Sequence, residues 1–276
     1  MTTAKTIIAA LAIVVAFGVE AQADKSSHAS IRAAIATDSP AAITGELEKA
    51  EHLWCGACIE TVMALLDHPD YGVREVAAWW FTRRPAQEKQ LAEGSIAALY
   101  GSDSVAARNG ADVLGAFQRP SAIPALSDAV VRADLSAQAR AAAAKALGLI
   151  AHIDANPALA LAMQDTDATV RAAAVHSWVA IRKQQGAAPV VGLVGDAEVS
   201  VRREAAAVVG EFREAAARVE LEARLASDPD SSVRRNAAWA LGRIGDSASR
   251  SVLEEARYDE SGLVRSVARA ALSQLR

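Results

Sequence analysis

Val233-Arg234-Arg235-Asn236-Ala237-Ala238-Trp239-Ala240-Leu241-Gly242 is the clearest copy of a pattern that recurs along the chain. The same ten-residue pattern also begins at Val73, Ala106, Ala139, Val170, Val201 and Val264, so successive copies stand 31 to 33 residues apart. A fixed period of this size marks a stack of supersecondary units, each too small to bury its apolar side alone. Positions 1, 5, 6, 8 and 9 are mostly apolar, as in Val233, Ala237, Ala238, Ala240 and Leu241. That spacing lays one buried stripe along a helix. The alanines let a neighbouring helix approach closely. Gly115, Gly148, Gly210 and Gly242 close the pattern and predict that the helix stops there.

Upstream, the chain is punctuated as a turn. Asp134, Asp165, Asp196, Asp228 and Asp259 stand five residues before position 1, and Asp70, Asp103, Asp167 and Asp230 stand three before it. Aspartates there accept bonds from the orphan N–H groups of a helix start. Position 2 is arginine at Arg74, Arg140, Arg171, Arg202, Arg234 and Arg265. A repeated Arg after a repeated Asp predicts a ladder of ion pairs from turn to turn. A polyanion-binding arginine row is the other reading, but each arginine has carboxylates of its own nearby. A shorter apolar segment precedes each turn, for example Ile59–Leu66, Ser121–Val130, Pro189–Val194 and Arg218–Leu225. Pro120, Pro124, Pro157 and Pro189 fall early in these first helices, where proline is tolerated. Each unit therefore reads as helix, turn, helix and a short link.

The signature D-x-x-x-x-V-R-x-x-A-A-x-A-L-G resembles the HEAT-like repeat family named after phycobilisome lyases, from about Glu51 to Arg276. The resemblance implies an all-α fold, a right-handed α-solenoid of about seven helix-turn-helix repeats with the pattern helices on the concave face. Ile31–Ala36 and Pro40–Leu53 read as capping helices over the open apolar end. The expected division is a signal peptide over 1–23, a linker and cap over 24–52, and the solenoid over 53–276. Two enzyme associations of the family can be weighed. Bilin lyases act inside photosynthetic cells, a setting at odds with an export signal. Deoxyhypusine hydroxylase takes its metal ligands from His-Glu dipeptides, and none of His28, His52, His68, His152 and His176 is followed by Glu.

The export signal is read from Lys5, the apolar run Ile7–Val19 and the small-x-small ending of Glu20-Ala21-Gln22-Ala23, with cleavage before Asp24. The run is 13 residues long, short of the ~20 that span a bilayer. The expectation is a periplasmic or secreted monomer with no membrane span after cleavage. The net charge is −4 and both signs are interspersed, which offers no basic stripe for nucleic acid. No Ser/His/Asp order, paired-carboxylate signature or phosphate loop stands out, so no cofactor and no catalysis are expected.

The two cysteines lie together in Trp54-Cys55-Gly56-Ala57-Cys58, directly before an apolar helix. Over these five residues the segment resembles the thioredoxin motif, in which a helix N-terminus lowers the pKa of the first cysteine. Ala57 stands where thioredoxin has proline, and no strand pattern surrounds it. Three readings follow. Cysteines in an exported chain normally pair, which gives a structural disulfide. A C-x-x-C disulfide is also a redox candidate, with Cys55 attacking and Cys58 resolving. His52, Cys55 and Cys58, with His68, form a possible zinc or Cu(I) set. Attachment of c-type haem would need His at position 59, which is Ile.

The inner face is read from positions 3, 4 and 7. These are Glu75, Arg108, Asn109, Asp112, Lys145, His176, Arg203, Glu204, Arg235, Asn236 and Trp239, together with Trp79. Their mixed sign fits a protein ligand better than one small charged molecule. Trp54, Trp79, Trp80 and Phe81 concentrate the aromatics in the first unit. There they either seal the cap, with Trp80 in the core, or form a binding patch, since aromatic anchors dominate interfaces. The functional expectation is a scaffold that holds a protein partner on its concave face.

Overall fold

A computed structural model describes residues 26–275. The expected signal peptide over 1–23 lies outside them. Among the described residues the chain is helical, without strands. The cap is α1 (His28–Ala36) and α2 (Pro40–Lys49), each begun by a serine, Ser27 and Ser39, whose hydroxyl accepts a first-turn N–H. Ile31, Ile43 and Leu47 of the cap are buried.

Seven units follow. They pair α3 (Gly56–Ala64) with α4 (Tyr71–Phe81), α5 (Pro85–Tyr100) with α6 (Ser104–Phe117), and α7 (Ile123–Val130) with α8 (Ala137–Ile150). Next come α9 (Asn156–Ala162) and α10 (Ala168–Ala180). The fifth unit departs from the expected helix pair. Its first element, Ala188–Gly195, is a 3-10 helix, and only α11 (Val199–Glu211) is α-helical. Two glycines and a proline within eight residues give that segment little α propensity. The array closes with α12 (Arg218–Ser227), α13 (Ser231–Ile244), α14 (Arg250–Glu255) and α15 (Gly262–Leu272).

The pattern helices α4, α6, α8, α10, α11, α13 and α15 stack in one row, and the first helices form the other. Neighbours in the pattern row pack more closely than neighbours in the first row. The tighter row lies on the inside of the curve. Small side chains cause the closeness. Gly148 sits inside α8, and a Cβ built there would stand 2.6 Å from Ser177 Oγ and 2.9 Å from Ser177 Cα. At Gly210, inside α11, a Cβ would fall 2.8 Å from Ala240 Cα. Gly115 and Gly242 meet Ala146 and Ala271 in the same way. The helices end one or two residues after these four glycines, close to the expected stops. The glycines themselves are corrected in role, since they are the points where one inner helix crosses the next. The left-handed residues that end the helices come later, at Gln118, Ala151 and Gly245.

The arginine ladder is present and has a definite geometry. Arg202 Nε and Nη2 donate to the Asp228 carboxylate of the next unit at 2.7 and 3.1 Å, while its Nη1 donates to the carbonyls of Asp196 and Ala197 in its own turn. Arg171 does the same with Asp196, and Arg234 with Asp259. Arg140 forks onto Asp165 and bonds the Leu135 carbonyl. Each carboxylate also receives the N–H two residues on, at Asp167, Glu198, Asp230 and Ser261. The aspartates nearer the helix, Asp70, Asp103, Asp167 and Asp230, cap the first turn as expected. The ladder changes where its letters change. The second unit has Ala107 at the arginine position and Gly101 at the aspartate position. Arg74 therefore reaches Asp112 on α6, and Asp134 pairs with the adjacent Arg132.

Two outcomes follow from this joint. Asp228 is fully buried and Arg202 nearly so, and removing one member of a buried pair costs about 3–5 kcal/mol. Arg202→Ala should lower the urea midpoint far more than Arg265→Ala, which removes bonds to backbone carbonyls worth about 0.5–1.5 kcal/mol each. The Arg140 and Arg234 bonds hold the Asp165 and Asp259 carboxyls below their ordinary range. At Asp196 burial pulls upward, but Arg171 and the Glu198 N–H outweigh it. Stability from these groups is complete above the unfolded-chain value, about 3.9. It is withdrawn as pH falls from there through the lower folded values. Thermal melts should fall steeply below about pH 4 and change little between neutral pH and pH 5.

Candidate functional site

The inner face carries two hollows at its N-terminal end. The apolar one has a volume of about 420 Å³ and runs across α2, α4, α6 and α8. Val76, Trp79, Ala116 and Leu149 line it, with Glu48, Glu75 and Gln118 at its rim. Trp79 is half-buried, and Leu149 is exposed to the hollow although fully apolar. The second hollow, about 310 Å³, lies toward the turns and is rimmed by Tyr71, Arg108 and Lys145. Its polar groups are already engaged with one another. The Lys145 ammonium stands 3.5 Å from the centre of the Tyr71 ring, and the Tyr71 hydroxyl donates to Glu75 at 3.0 Å. Burial first, and then the Glu75 carboxylate, push the Tyr71 phenol well above its ordinary range.

The other expected inner-face residues divide by exposure. Lys145, His176, Arg203 and Trp239 are exposed, and Arg108, Glu75 and Arg235 are half-buried. His176 Nδ1 stands 3.1 Å from Glu204 of the next unit. Arg108 folds onto Asn109, and Arg235 onto Asn236, through the same guanidinium-to-amide contact. Trp239 lies over Gly210 of the preceding inner helix. Asp112 is a correction. It is buried, Arg74 donates to it at 2.7 and 2.8 Å, and it joins two units instead of meeting a partner. Its position-7 side chain turns inward because the second unit lacks the usual turn aspartate. Asn109 is also buried, donating to Asp67. Leu149 and Ala116 were not expected at the face, whereas Val76 stands at position 4 of its unit, a face position by register. The first two follow Gly148 and Gly115, and reading those glycines as stops placed them outside the helix.

The first unit is built differently from the rest. Trp80 is fully buried as expected, and its indole N–H donates to the Ala50 carbonyl at 2.9 Å. Arg84 stacks over the Trp80 ring, its guanidinium 3.0 Å from the ring centre, and donates to the carbonyls of Leu53, Glu51 and Trp80. Burial pulls the Arg84 guanidinium down to about 10. These bonds pin the loop from Ala50 to Trp54. At its end Cys55 and Cys58 are joined by a disulfide across the first turn of α3. Cys58 is fully buried and Cys55 half-exposed, while Trp54 is 92% exposed. The proposed metal set is not assembled. Both thiols are spent in the disulfide, and among the described residues no three metal-ligating side chains converge. His52 lies by Glu51, and His68 accepts the Asp70 N–H.

Among the described residues no helix is long and apolar enough to cross a membrane. A family model described as HEAT repeats matches residues 92–176, 129–207 and 188–273. No curated protein matches the chain. Solved structures do. The E. coli protein YibA is 16% identical, with 90% of this chain and 92% of that one covered and a TM-score of 0.58. Kap95p, solved with RanGDP, is 15% identical over 89% of this chain and 40% of its own, with a TM-score of 0.54. The CpcE and CpcF complex of phycocyanin lyase from Nostoc is 24% identical over 79% of this chain and 94% of that one, at a TM-score of 0.41. The first two likenesses show the fold alone, and the third is too loose to carry an argument.

Proposed function

This chain belongs to the HEAT repeat family, and from that premise we propose that it is an exported scaffold whose inner face holds a protein partner without catalysing a reaction on it. The fold is one used widely for protein interaction. The observation that carries the reading is the apolar hollow across α2, α4, α6 and α8. Apolar side chains gathered in a concave site with a polar rim mark a binding surface when the rest of the face is charged. Trp79 at its centre has the character of an interface anchor, large, rigid and half-buried before any partner arrives. The rim carries Glu48 and Glu75. The partner this suits is a segment with an aliphatic or aromatic side chain flanked by Lys or Arg. Along the remaining face, Arg203, Arg235 and Glu204 supply charges of both signs that would fix register. Kap95p, a neighbour in fold, is described in complex with RanGDP, which is in keeping with a protein ligand.

Export is the second part of the proposal, resting on the Ile7–Val19 run and the Ala21-Gln22-Ala23 ending. Protein recovered from the periplasm should begin at Asp24 by N-terminal sequencing. Recovery from the cytoplasm with Met1 intact would sink that part.

Partner capture tests the face. Protein bound from periplasmic extract by the wild-type chain should be lost with Trp79→Ala, a truncation expected to cost about 2 kcal/mol or more, roughly thirtyfold in affinity. Circular dichroism should show Trp79→Ala folded, unlike Trp80→Ala. Trp239→Ala reports whether the partner reaches the far end of the face. Undiminished capture by Trp79→Ala would remove the hollow from the interface.

A further inference from the structure

We propose that Cys55–Cys58 is a thiol–disulfide exchange site that oxidises a pair of thiols in a protein substrate. The inference stands apart from the inner face and rests on other observations. The first is the inequality of the two sulfurs. Cys58 is fully buried in the N-terminal core, and Cys55 is half-exposed. An incoming thiolate therefore meets Cys55. The second is local polarity. Cys55 is the N-cap of α3, and its Sγ accepts the Cys58 N–H at 3.1 Å. A backbone donor and the positive end of a nine-residue helix both favour Cys55 as a thiolate. Stabilising the reduced form makes a disulfide more oxidising.

The third observation is the platform around the bond. Among the described residues Trp54, next to Cys55, is 92% exposed. Together with Glu51, His52, Leu53, Arg83 and Arg84 it walls a hollow of about 180 Å³. The loop beneath is held by Trp80 and Arg84 through the carbonyls of Ala50 and Leu53. A pinned loop that presents a bare indole next to the less buried sulfur of the pair has the form of a docking site for a peptide chain. The bond itself spans three residues of sequence. It ties no two units together, and the ladder and the buried inner row already perform that task. For a loop this small the stabilisation is at the low end for a disulfide, about 2 kcal/mol.

A substrate thiolate attacks Cys55 Sγ. The Cys55–Cys58 bond breaks, and its electron pair leaves on Cys58 Sγ, which takes up a proton. The substrate is now joined to Cys55 as a mixed disulfide. Its second thiolate attacks its own first sulfur and expels Cys55 as a thiolate, received by the Cys58 N–H. The substrate loses two electrons and two protons and gains a disulfide. Cys58 ends as a thiol and Cys55 as a thiolate, with the second proton released to solvent, so the pair is reduced by two electrons.

The test uses the full chain and a reduced peptide carrying two cysteines. Acid quench, alkylation and intact mass should show one peptide disulfide formed for each Cys55–Cys58 pair reduced. Cys58→Ala should trap a mixed disulfide with the oxidised peptide, and Cys55→Ala should not. Trp54→Ala should slow the peptide reaction by about tenfold, the effect of losing an anchor of about 1.4 kcal/mol. It should leave exchange with dithiothreitol unchanged, a split that a purely structural role would not produce. Melting curves establish that each variant is folded. A bond that survives excess reduced peptide overturns the proposal, as does equal trapping by both cysteine variants.

Discussion

The guanidinium at position 2 is the interaction on which the array depends. In a single planar group it closes the carbonyls of its own turn and grips the carboxylate of the next. A lysine could supply the charge but not the fork. Because the donors are fixed relative to each other, the bond sets both the distance and the angle between units. The carboxylate is fixed too, since the N–H two residues on also binds it. At the four joints from Arg140–Asp165 to Arg234–Asp259 charge is thereby drawn away from solvent with both partners hydrogen-bonded, which is the condition under which a buried pair is tolerable. These arginines are consequently unavailable as a polyanion-binding row.

The ladder determines the step between units, and small residues determine how near the inner helices come. Glycine and alanine occupy the crossings, so the pattern row contracts and the outer row splays. Curvature follows from that difference, and with it a concave face. The first unit breaks the rule of small residues. Trp80 and Phe81 fill its core edge to face, and Arg84 lies on the Trp80 ring. Large side chains there hold the cap and the Ala50–Trp54 loop, and they leave Trp79 at the surface. The apolar hollow and the disulfide both arise where the repeat is least regular.

Some of this was legible from residue order alone. The 31-to-33-residue period, the Asp caps, the position-2 arginines and the buried Trp80 all appear where periodicity and turn chemistry put them. Other assignments went astray for identifiable reasons. A glycine near a helix end signals a stop when only one helix is considered, because its conformational freedom is the local property. Its lack of a side chain matters only when a second helix is present. Reading Gly148 as an end hid Leu149, the far wall of the hollow. Asp112 occupied a face position by register, yet the missing aspartate in its own turn drew Arg74 onto it. The 3-10 start of the fifth unit is masked by a repeat that continues correctly on both sides.

Sequence by itself determined the architecture and its period, since helix stripes, caps and a recurrent Arg–Asp pair are local or nearest-neighbour properties. It also placed the two cysteines on one helical turn. Packing between distant segments settled which sulfur is the less buried, which face residues are spent on one another, and where apolar side chains from three helices meet. Those outcomes depend on approach between segments 30 to 100 residues apart, such as Glu48 and Leu149. Distances of that kind are set by packing and appear in no single stretch of the chain.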